Sequence, residues 1–255
     1  MSDSAPESLL NPDRPEAVDR RDRLTAVIEI LLCSGVPTQL AIGALLRMAG
    51  IPSTDAAGHL SFAFVVTLSL TDTTAVIAMM ILLMRAHGES ARVLWWGPPE
   101  ARGARAGRDA ILGLATVPFV FVGVGILLNT IRLFAPSLHN VPTNPLEALA
   151  ATPGQAALFS LVAIFAGGVR EELQRAFMLR RFEQYLGGAA VGVGVISIAF
   201  GLGHAMQGWD AAITTSTLGA LWAWMYLQRR SSVGPIVSHA GFNSLEILRV
   251  AVIGL

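Results

Sequence analysis

Long apolar runs are the feature that most constrains how this chain can fold. Seven segments, separated by polar stretches, are each close to the roughly 20 residues that an α-helix needs to cross a bilayer. The sequence therefore predicts an all-α fold, a polytopic transmembrane helix bundle with about seven to eight helices. The predicted spans are residues 24–48, 60–84, 110–134, 154–180, 189–206, 211–227 and 235–255. An interfacial or re-entrant piece at residues 93–96 or 146–149 would supply the eighth helix.

Composition supports a membrane protein and excludes other classes. The chain is 53% hydrophobic and 14% charged, whereas a soluble domain carries about 25% charged residues. The formal net charge is zero, so we expect no nucleic-acid partner. Membrane lipid is the expected surrounding, and the oligomeric state is open. The single cysteine, Cys33, excludes an intrachain disulfide and a cysteine-rich zinc site.

Arginine placement predicts the topology. Arginines cluster in the amino-terminal tail and in alternate loops, which favours a cytoplasmic amino terminus in a bacterial inner (plasma) membrane. Residues 1–23 form a polar tail that we expect to be disordered or to lie on the surface. Residues 24–152 form the first membrane helices and their loops. Residues 153–255 form a carboxyl-terminal core that holds the polar motifs described next.

The fourth predicted span contains charges that a membrane helix normally avoids. Arg170, Glu171, Glu172 and Arg175 interrupt it between two apolar stretches. A central ionisable side chain costs about 2.5–3.5 kcal/mol on insertion scales, so such residues point to function. On a helix, Arg175 lies near both carboxylates at i+4 and i+3, so we expect one carboxylate to be neutralised and the other to face a cavity. The alternative is a helix end that emerges into the interface with solvated charges.

Two later segments add polar groups to apolar helices. Phe200 precedes His204 by four residues, and His239 precedes Asn243 by the same spacing, which places each pair on one helical face. With the carboxylates, these residues supply a general base, a second titrating group and oxyanion donors, as amide hydrolysis requires. Two further intramembrane acids, Glu29 and Asp72, could pair across helices in a structural or gating role. Each segment alone could serve helix packing.

The three motifs together resemble a known family. The sequences Glu171-Glu172-x-x-Arg175, Phe200-x-x-x-His204 and His239-x-x-x-Asn243 are similar to the motifs of the CAAX-protease and bacteriocin-processing (CPBP, or Abi) family, to which the Ras-converting prenyl-protein endopeptidase belongs. The resemblance covers roughly residues 156–248 and implies a catalytic core within an all-helical bundle. It also implies an intramembrane endopeptidase whose substrate is a membrane-anchored protein or peptide, prenylated or of the leader type.

The resemblance also implies roles for individual residues. Glu171 would activate water, helped by His204, while His239 and Asn243 would stabilise the oxyanion. Glu172 and Arg175 would orient these groups, with Phe200 beside them.

The use of a metal remains open at this point. If zinc is present, His204, His239 and Glu171 would be its ligands. The sequence contains no His-Glu-x-x-His motif, and Asn243 suits an oxyanion donor better than a zinc ligand, which favours a glutamate-activated water without a metal. Two other functions are also compatible with these residues: a transporter or proton-coupled carrier, and a non-catalytic immunity or scaffold protein that kept the family's fold.

Overall fold

The computed structural model describes residues 18–99 and 102–253, and the predicted all-α fold is confirmed. Within these ranges the only extended pairing is an isolated bridge between Thr54 and Leu60. Most of the predicted amino-terminal tail lies outside the described residues. The α-helices are α1 (Arg20–Cys33), α2 (Val36–Met48), α3 (Phe62–Ala86), α4 (Ala91–Trp96), α5 (Arg102–Phe134), α6 (Pro153–Val162), α7 (Glu172–Tyr185), α8 (Ala189–Leu202), α9 (Trp209–Arg229) and α10 (Val233–Ile253).

Four helical stretches of the described chain are long and apolar enough to cross a membrane. They are Arg20–Met48, which comprises α1 and α2, then Phe62–Ala86, Gly103–Phe134 and Val233–Ile253. Helix α8 is apolar but shorter. The predicted spans at 154–180 and 211–227 are helical, yet they are not among these four. The division of the chain at residue 153 stays a prediction, although Thr152 caps the start of α6 by accepting a hydrogen bond from the Gln155 amide.

The first predicted span is broken into two helices. The break lies at Ser34 and Gly35, and Gly35 has a left-handed backbone with φ of 85°, which glycine adopts at low cost. Pro37 then lies in the first turn of α2, where proline is tolerated because the amide hydrogen it lacks would have no helical partner. The side-chain amide of Gln174 donates to the Cys33 carbonyl at 2.6 Å, so α7 satisfies a carbonyl that the break leaves free.

The fourth predicted span is one continuous helical rod with an irregular centre. Residues Ala163–Glu171 form a π-helix between α6 and α7, and such insertions are rare and frequent at functional sites. Ten residues of α7 are buried. Gly187 and Gly188, both with positive φ, follow the rod, and glycine adopts such a backbone at low cost where a helix ends.

Close helix contacts assemble the rest of the bundle around this rod. Helix α8 packs on α9, and α10 packs on both α5 and the π-helical segment. A Cβ atom at Gly201 would overlap Ser216 Oγ and the carbonyl oxygen of Ala212, so only glycine allows α8 and α9 to approach this closely.

Two ion-pair networks hold the ends of the bundle. At one end, Arg181 on α7 donates to Glu29 on α1 at 2.5 Å and to Glu89 in the α3–α4 loop at 2.6 Å. Burial raises the pKa of the Glu89 carboxyl, but hydrogen bonds from Arg181 and Gln184 outweigh this effect and hold that pKa below its usual value. At the other end, Asp210 accepts from Arg132 and His139, both at 2.9 Å, which ties the 135–152 loop to α9.

The predicted interfacial segment near residues 93–96 is partly wrong. It forms the short helix α4, but Trp95 is buried in the main core rather than anchored at a membrane surface. Its indole Nε1 donates to the carbonyl of Leu173 at 3.2 Å. Residues 146–149 lie in and beside a 3₁₀ turn, Glu147–Ala150.

We predict that Gly201→Ala lowers the free energy of unfolding by about 1 to 3 kcal/mol, because overpacking costs that much in a tight interface. The measurement is unfolding by SDS titration in mixed micelles, followed by circular dichroism. Gly194→Ala is the matched control: it lies on the same helix, and a Cβ there meets nothing within 4 Å. Equal stability of the two variants would contradict the close contact.

We predict that Arg181→Ala destabilises the fold by about 3 to 5 kcal/mol, because it leaves a buried carboxylate unpaired. Arg180→Ala is the control and costs less than about 1 kcal/mol, since Arg180 is exposed and reaches Glu89 only at 3.4 Å. Because the folded-state pKa of Glu89 is lowered, its stabilisation is present above its ordinary pKa of 4.5 and is lost as the pH falls through the folded-state value. Unfolding in SDS at neutral and acidic pH would reveal both effects.

Candidate active site

A buried ion pair at the start of α7 forms the base of the site. Arg175 Nε donates to Glu172 Oε2 at 3.0 Å, and Arg175 Nη2 donates to Glu172 Oε1 at 3.3 Å. Both side chains are buried. The guanidinium also lies 4.7 Å from the ring centroid of Phe200, within the range of a cation–π contact. One of the two adjacent carboxylates is therefore neutralised by Arg175, as the sequence predicts.

His239 on α10 joins this pair to a second helix. Its Nδ1 donates to Glu172 Oε1 at 2.9 Å, and its ring stacks on Trp222 of α9 at 3.8 Å between centroids. Trp222 Nε1 in turn donates to Ser238 Oγ at 3.1 Å. A carboxylate on Nδ1 and an indole on the ring face fix the orientation of the imidazole and direct Nε2 away from Glu172.

Glu171 is the second carboxylate, and its partner differs from the expected one. The π-helix ends at Glu171, and Arg170 Nη2 donates to Glu171 Oε1 at 3.1 Å. The other oxygen, Oε2, lies 3.9 Å from His239 Nε2, a separation that one water molecule can bridge. The Glu171 side chain is 18% exposed, against 1% for Glu172. Glu171 is thus the more accessible carboxylate of the two.

Asn243 lies beside the same histidine nitrogen because Gly167 leaves room for it. A Cβ atom at Gly167 would stand 2.5 Å from Asn243 Nδ2 and 3.7 Å from His239 Nε2. The next glycine, Gly168, lets α10 approach, since a Cβ there would be 2.7 Å from the Ala240 Cβ. The π-helical segment therefore faces the His239 and Asn243 side chains through Gly167 and packs on the Ala240 backbone and Cβ through Gly168.

His204 lies just beyond the end of α8. Its Nδ1 donates to the Phe200 carbonyl at 2.9 Å, which leaves Nε2 as the second ring nitrogen. The Phe200 ring contacts both imidazoles, at 4.9 Å from His204 and 6.1 Å from His239. In the described part of the chain, His204 makes no hydrogen bond or ion pair with Glu171, and His239 is the histidine that pairs with Glu171. The role of His204 in activating water stays a prediction.

A zinc site is not supported by the donor atoms. A catalytic zinc needs three protein ligands with converging donor atoms. Among the described residues, no group of three His, Cys, Asp or Glu side chains is placed to hold a metal ion. Arg170 binds Glu171 Oε1, and the hydrogen bonds at Nδ1 leave Nε2 of His204 and of His239 as the ring nitrogens that could bind a metal, but the three residues do not form such a group in the described chain. These residues do not fit the predicted zinc ligand set.

Several residues of this site are missed by sequence reasoning. Trp222 is one apolar residue among many in its span, and only its stacking on His239 identifies it. Arg170 donates from Nε to the Ala166 carbonyl oxygen at 3.2 Å, and its contact with Glu171 is not evident from the sequence. Asp72 pairs with Arg170, and Glu29 pairs with Arg181, each across helices. The sequence pattern around these acids does not identify their partners.

Comparison with known proteins agrees with this arrangement. Residues 153–245 match the family model for type II CAAX prenyl endopeptidases, Rce1-like. The matched segment contains all three motifs, so the resemblance found in the sequence is confirmed for this segment, and the match supports a CAAX-type endopeptidase at the level of the family. The apolar helices agree with an integral membrane protein. No curated protein and no solved structure matches the chain.

We predict that Gly167→Ala displaces the Asn243 amide without unfolding the protein. The added methyl group meets the end of a flexible side chain, and alanine favours a helix over glycine by up to about 1 kcal/mol. A shift of the Asn243 side-chain amide signals in NMR spectra of amide-labelled protein, with unchanged circular dichroism, is the expected result. Gly154→Ala, where a Cβ meets nothing within 4 Å, is the control. Unmoved Asn243 signals would contradict the contact.

Proposed function

We propose that this protein is an intramembrane endopeptidase that uses Glu171 to activate water. The observation on which this rests is that two neighbouring carboxylates differ in burial and in bound partners. Glu172 is buried and bound by Arg175 and His239, whereas Glu171 is partly exposed and faces His239 Nε2. A carboxylate with one free oxygen beside a fixed imidazole is a suitable general base.

In this mechanism His239 carries a proton on both ring nitrogens. It belongs to a connected cluster with three carboxylates and two guanidiniums, and an imidazolium makes the sum of these formal charges zero. The five other charged members are Asp72, Arg170, Glu171, Glu172 and Arg175. A protonated His239 donates from Nδ1 to Glu172 and keeps an Nε2–H for a developing oxyanion.

The reaction then proceeds in two steps. Glu171 Oε2 removes a proton from the bound water, and the resulting hydroxide oxygen attacks the carbonyl carbon of the scissile peptide. Asn243 Nδ2 and His239 Nε2 donate hydrogen bonds to the tetrahedral oxyanion. Collapse of the intermediate breaks the C–N bond, and the proton held by Glu171 passes to the leaving nitrogen. His204 assists at the water, while Phe200 and Arg175 hold the surrounding groups.

The substrate we propose is a membrane-anchored protein or peptide, prenylated or of the leader type, cut near the surface of a bacterial inner membrane. The cytoplasmic amino terminus is part of the same proposal and rests on the arginine distribution. A proton-coupled carrier is less well supported, because each buried carboxylate of the described residues is bound to an arginine rather than free to relay protons.

We predict that Glu171→Gln lowers kcat by about 10² to 10⁴-fold, the usual contribution of a general base. The measurement is cleavage of a panel of prenylated and leader-type peptides by purified protein in lipid nanodiscs, followed by mass spectrometry. Glu183→Gln is the matched control. Glu183 lies on the same rod, about three helical turns beyond Glu171, and it pairs with exposed Arg230 rather than with any residue of the site. Its kcat should equal that of the wild type.

Three other results would contradict the proposed mechanism or function. Cleavage that survives Glu171→Gln would exclude Glu171 as the base. Cleavage by the wild type that a strong zinc chelator abolishes would restore the metal hypothesis. A phenotype that persists in the Glu171→Gln, His204→Ala and Asn243→Ala variants would favour a non-catalytic scaffold or immunity protein.

A further inference from the structure

We propose that Asp72 on α3 is a positioning residue for this reaction and that it acts through Arg170 to orient the Glu171 carboxylate. The inference rests on the proposed function of Glu171. It extends the site to a helix outside residues 153–245, the segment that matches the family model. The juxtaposition that supports it is a chain of charged side chains running from α3 through the π-helical segment to Glu171.

The Arg170 guanidinium is held at three points. Its Nε donates to the Ala166 carbonyl at 3.2 Å, its Nη1 donates to Asp72 Oδ2, and its Nη2 donates to Glu171 Oε1 at 3.1 Å. A guanidinium is planar and rigid, so two of these contacts determine the direction of the third. Asp72 and the Ala166 carbonyl therefore decide where the donor for Glu171 points.

Asp72 is itself fixed by its surroundings. Its side chain is 0% exposed, and it accepts hydrogen bonds from the Thr38 hydroxyl and, at 3.2 Å, from Gln39 Nε2, both on α2. The neighbouring Thr73 and Thr74 of α3 donate instead to carbonyls of their own helix. The buried carboxylate thus accepts hydrogen bonds from three side chains, those of Thr38, Gln39 and Arg170, and has little freedom to rotate.

The break between α1 and α2 lies against this ion pair. A Cβ atom at Gly35 would stand 3.4 Å from Arg170 Nη1 and 3.5 Å from Asp72 Oδ2, in van der Waals contact with both. The positive φ of Gly35 favours glycine at this position. The hydrogen bond from Gln174 to the Cys33 carbonyl attaches the same break to α7, one turn after Glu171.

As a result of this arrangement, the Glu171 carboxylate has one oxygen bound by Arg170 and one oxygen free of it. Arg170 holds Glu171 Oε1, and this leaves Oε2 directed towards His239 Nε2 at 3.9 Å. Without Asp72, Arg170 could turn towards other acceptors, and the Glu171 carboxylate would rotate with it. A displacement of about 1 Å at a reacting group can cost about 100-fold in rate.

The alternative explanation is that the Asp72–Arg170 ion pair only stabilises the fold. A double variant distinguishes this structural role from the positioning role. Asp72→Asn alone should lower both stability and kcat, since it removes a buried partner of Arg170. Asp72→Asn combined with Arg170→Gln removes both charges. We expect this double variant to regain most of the thermal stability that the single variant loses, while its kcat stays about 10- to 100-fold below the wild type and its KM changes little.

Glu29→Gln is the matched control. Glu29 is another buried carboxylate of the amino-terminal helices, and it binds Arg181 and His87 rather than Arg170 or Glu171. It should lose stability and keep the wild-type kcat per folded molecule. Recovery of kcat together with stability in the double variant would overturn the positioning role. Absence of wild-type cleavage, or cleavage that survives Glu171→Gln, would instead overturn the proposed function itself.

Discussion

Pairing between buried arginines and carboxylates is the interaction on which the rest of the structure depends. A lone charge in an apolar interior is costly, and a paired one is tolerated only where geometry and hydrogen bonds are good. In the described residues each buried carboxylate meets an arginine. The pairs are Glu29 with Arg181, Asp72 with Arg170, Asp109 with Arg229, Glu172 with Arg175, and Asp210 with Arg132. Four of these pairs join different helices, so they also fix how the helices lie against each other.

The distribution of charge explains why the central rod differs from its neighbours. The rod from Pro153 to Tyr185 contains Arg170, Arg175 and Arg181, and surrounding helices provide a carboxylate for two of them, Asp72 for Arg170 and Glu29 for Arg181. Because α7 is largely buried in protein, its side chains need not be apolar, and the long apolar stretches are found at α1–α2, α3, α5 and α10. The polar helix inside and the apolar helices outside together place a polar site among apolar helices.

The π-helical segment turns this arrangement into a site with two different carboxylates. Within it, the glycines at 167 and 168 let α10 approach, and at its end Glu171 and Glu172 diverge. Glu172 becomes a fixed acceptor for His239, and Glu171 keeps one oxygen free. Neighbouring residues of the same type therefore have different surroundings: Arg175 and His239 Nδ1 bind Glu172, whereas Arg170 binds one oxygen of Glu171.

Local sequence determined the elements and the chemical groups of this protein. Apolar length predicted the long helices, and the pattern of Glu171, Glu172, Arg175, His204, His239 and Asn243 predicted which groups could act together. The pairing of Glu172 with Arg175 also followed from the sequence, because residues three apart on one helix are neighbours in any fold.

Tertiary structure alone decided which oxygen atom of the site is free. The partner of Glu171 is Arg170, whose own orientation depends on Asp72 about a hundred positions earlier in the chain. The stacking of Trp222 on His239 and the break at Gly35 likewise depend on contacts between separate helices. Helical periodicity describes one regular helix, so it can foresee neither a π-helical segment nor a partner that a different helix supplies.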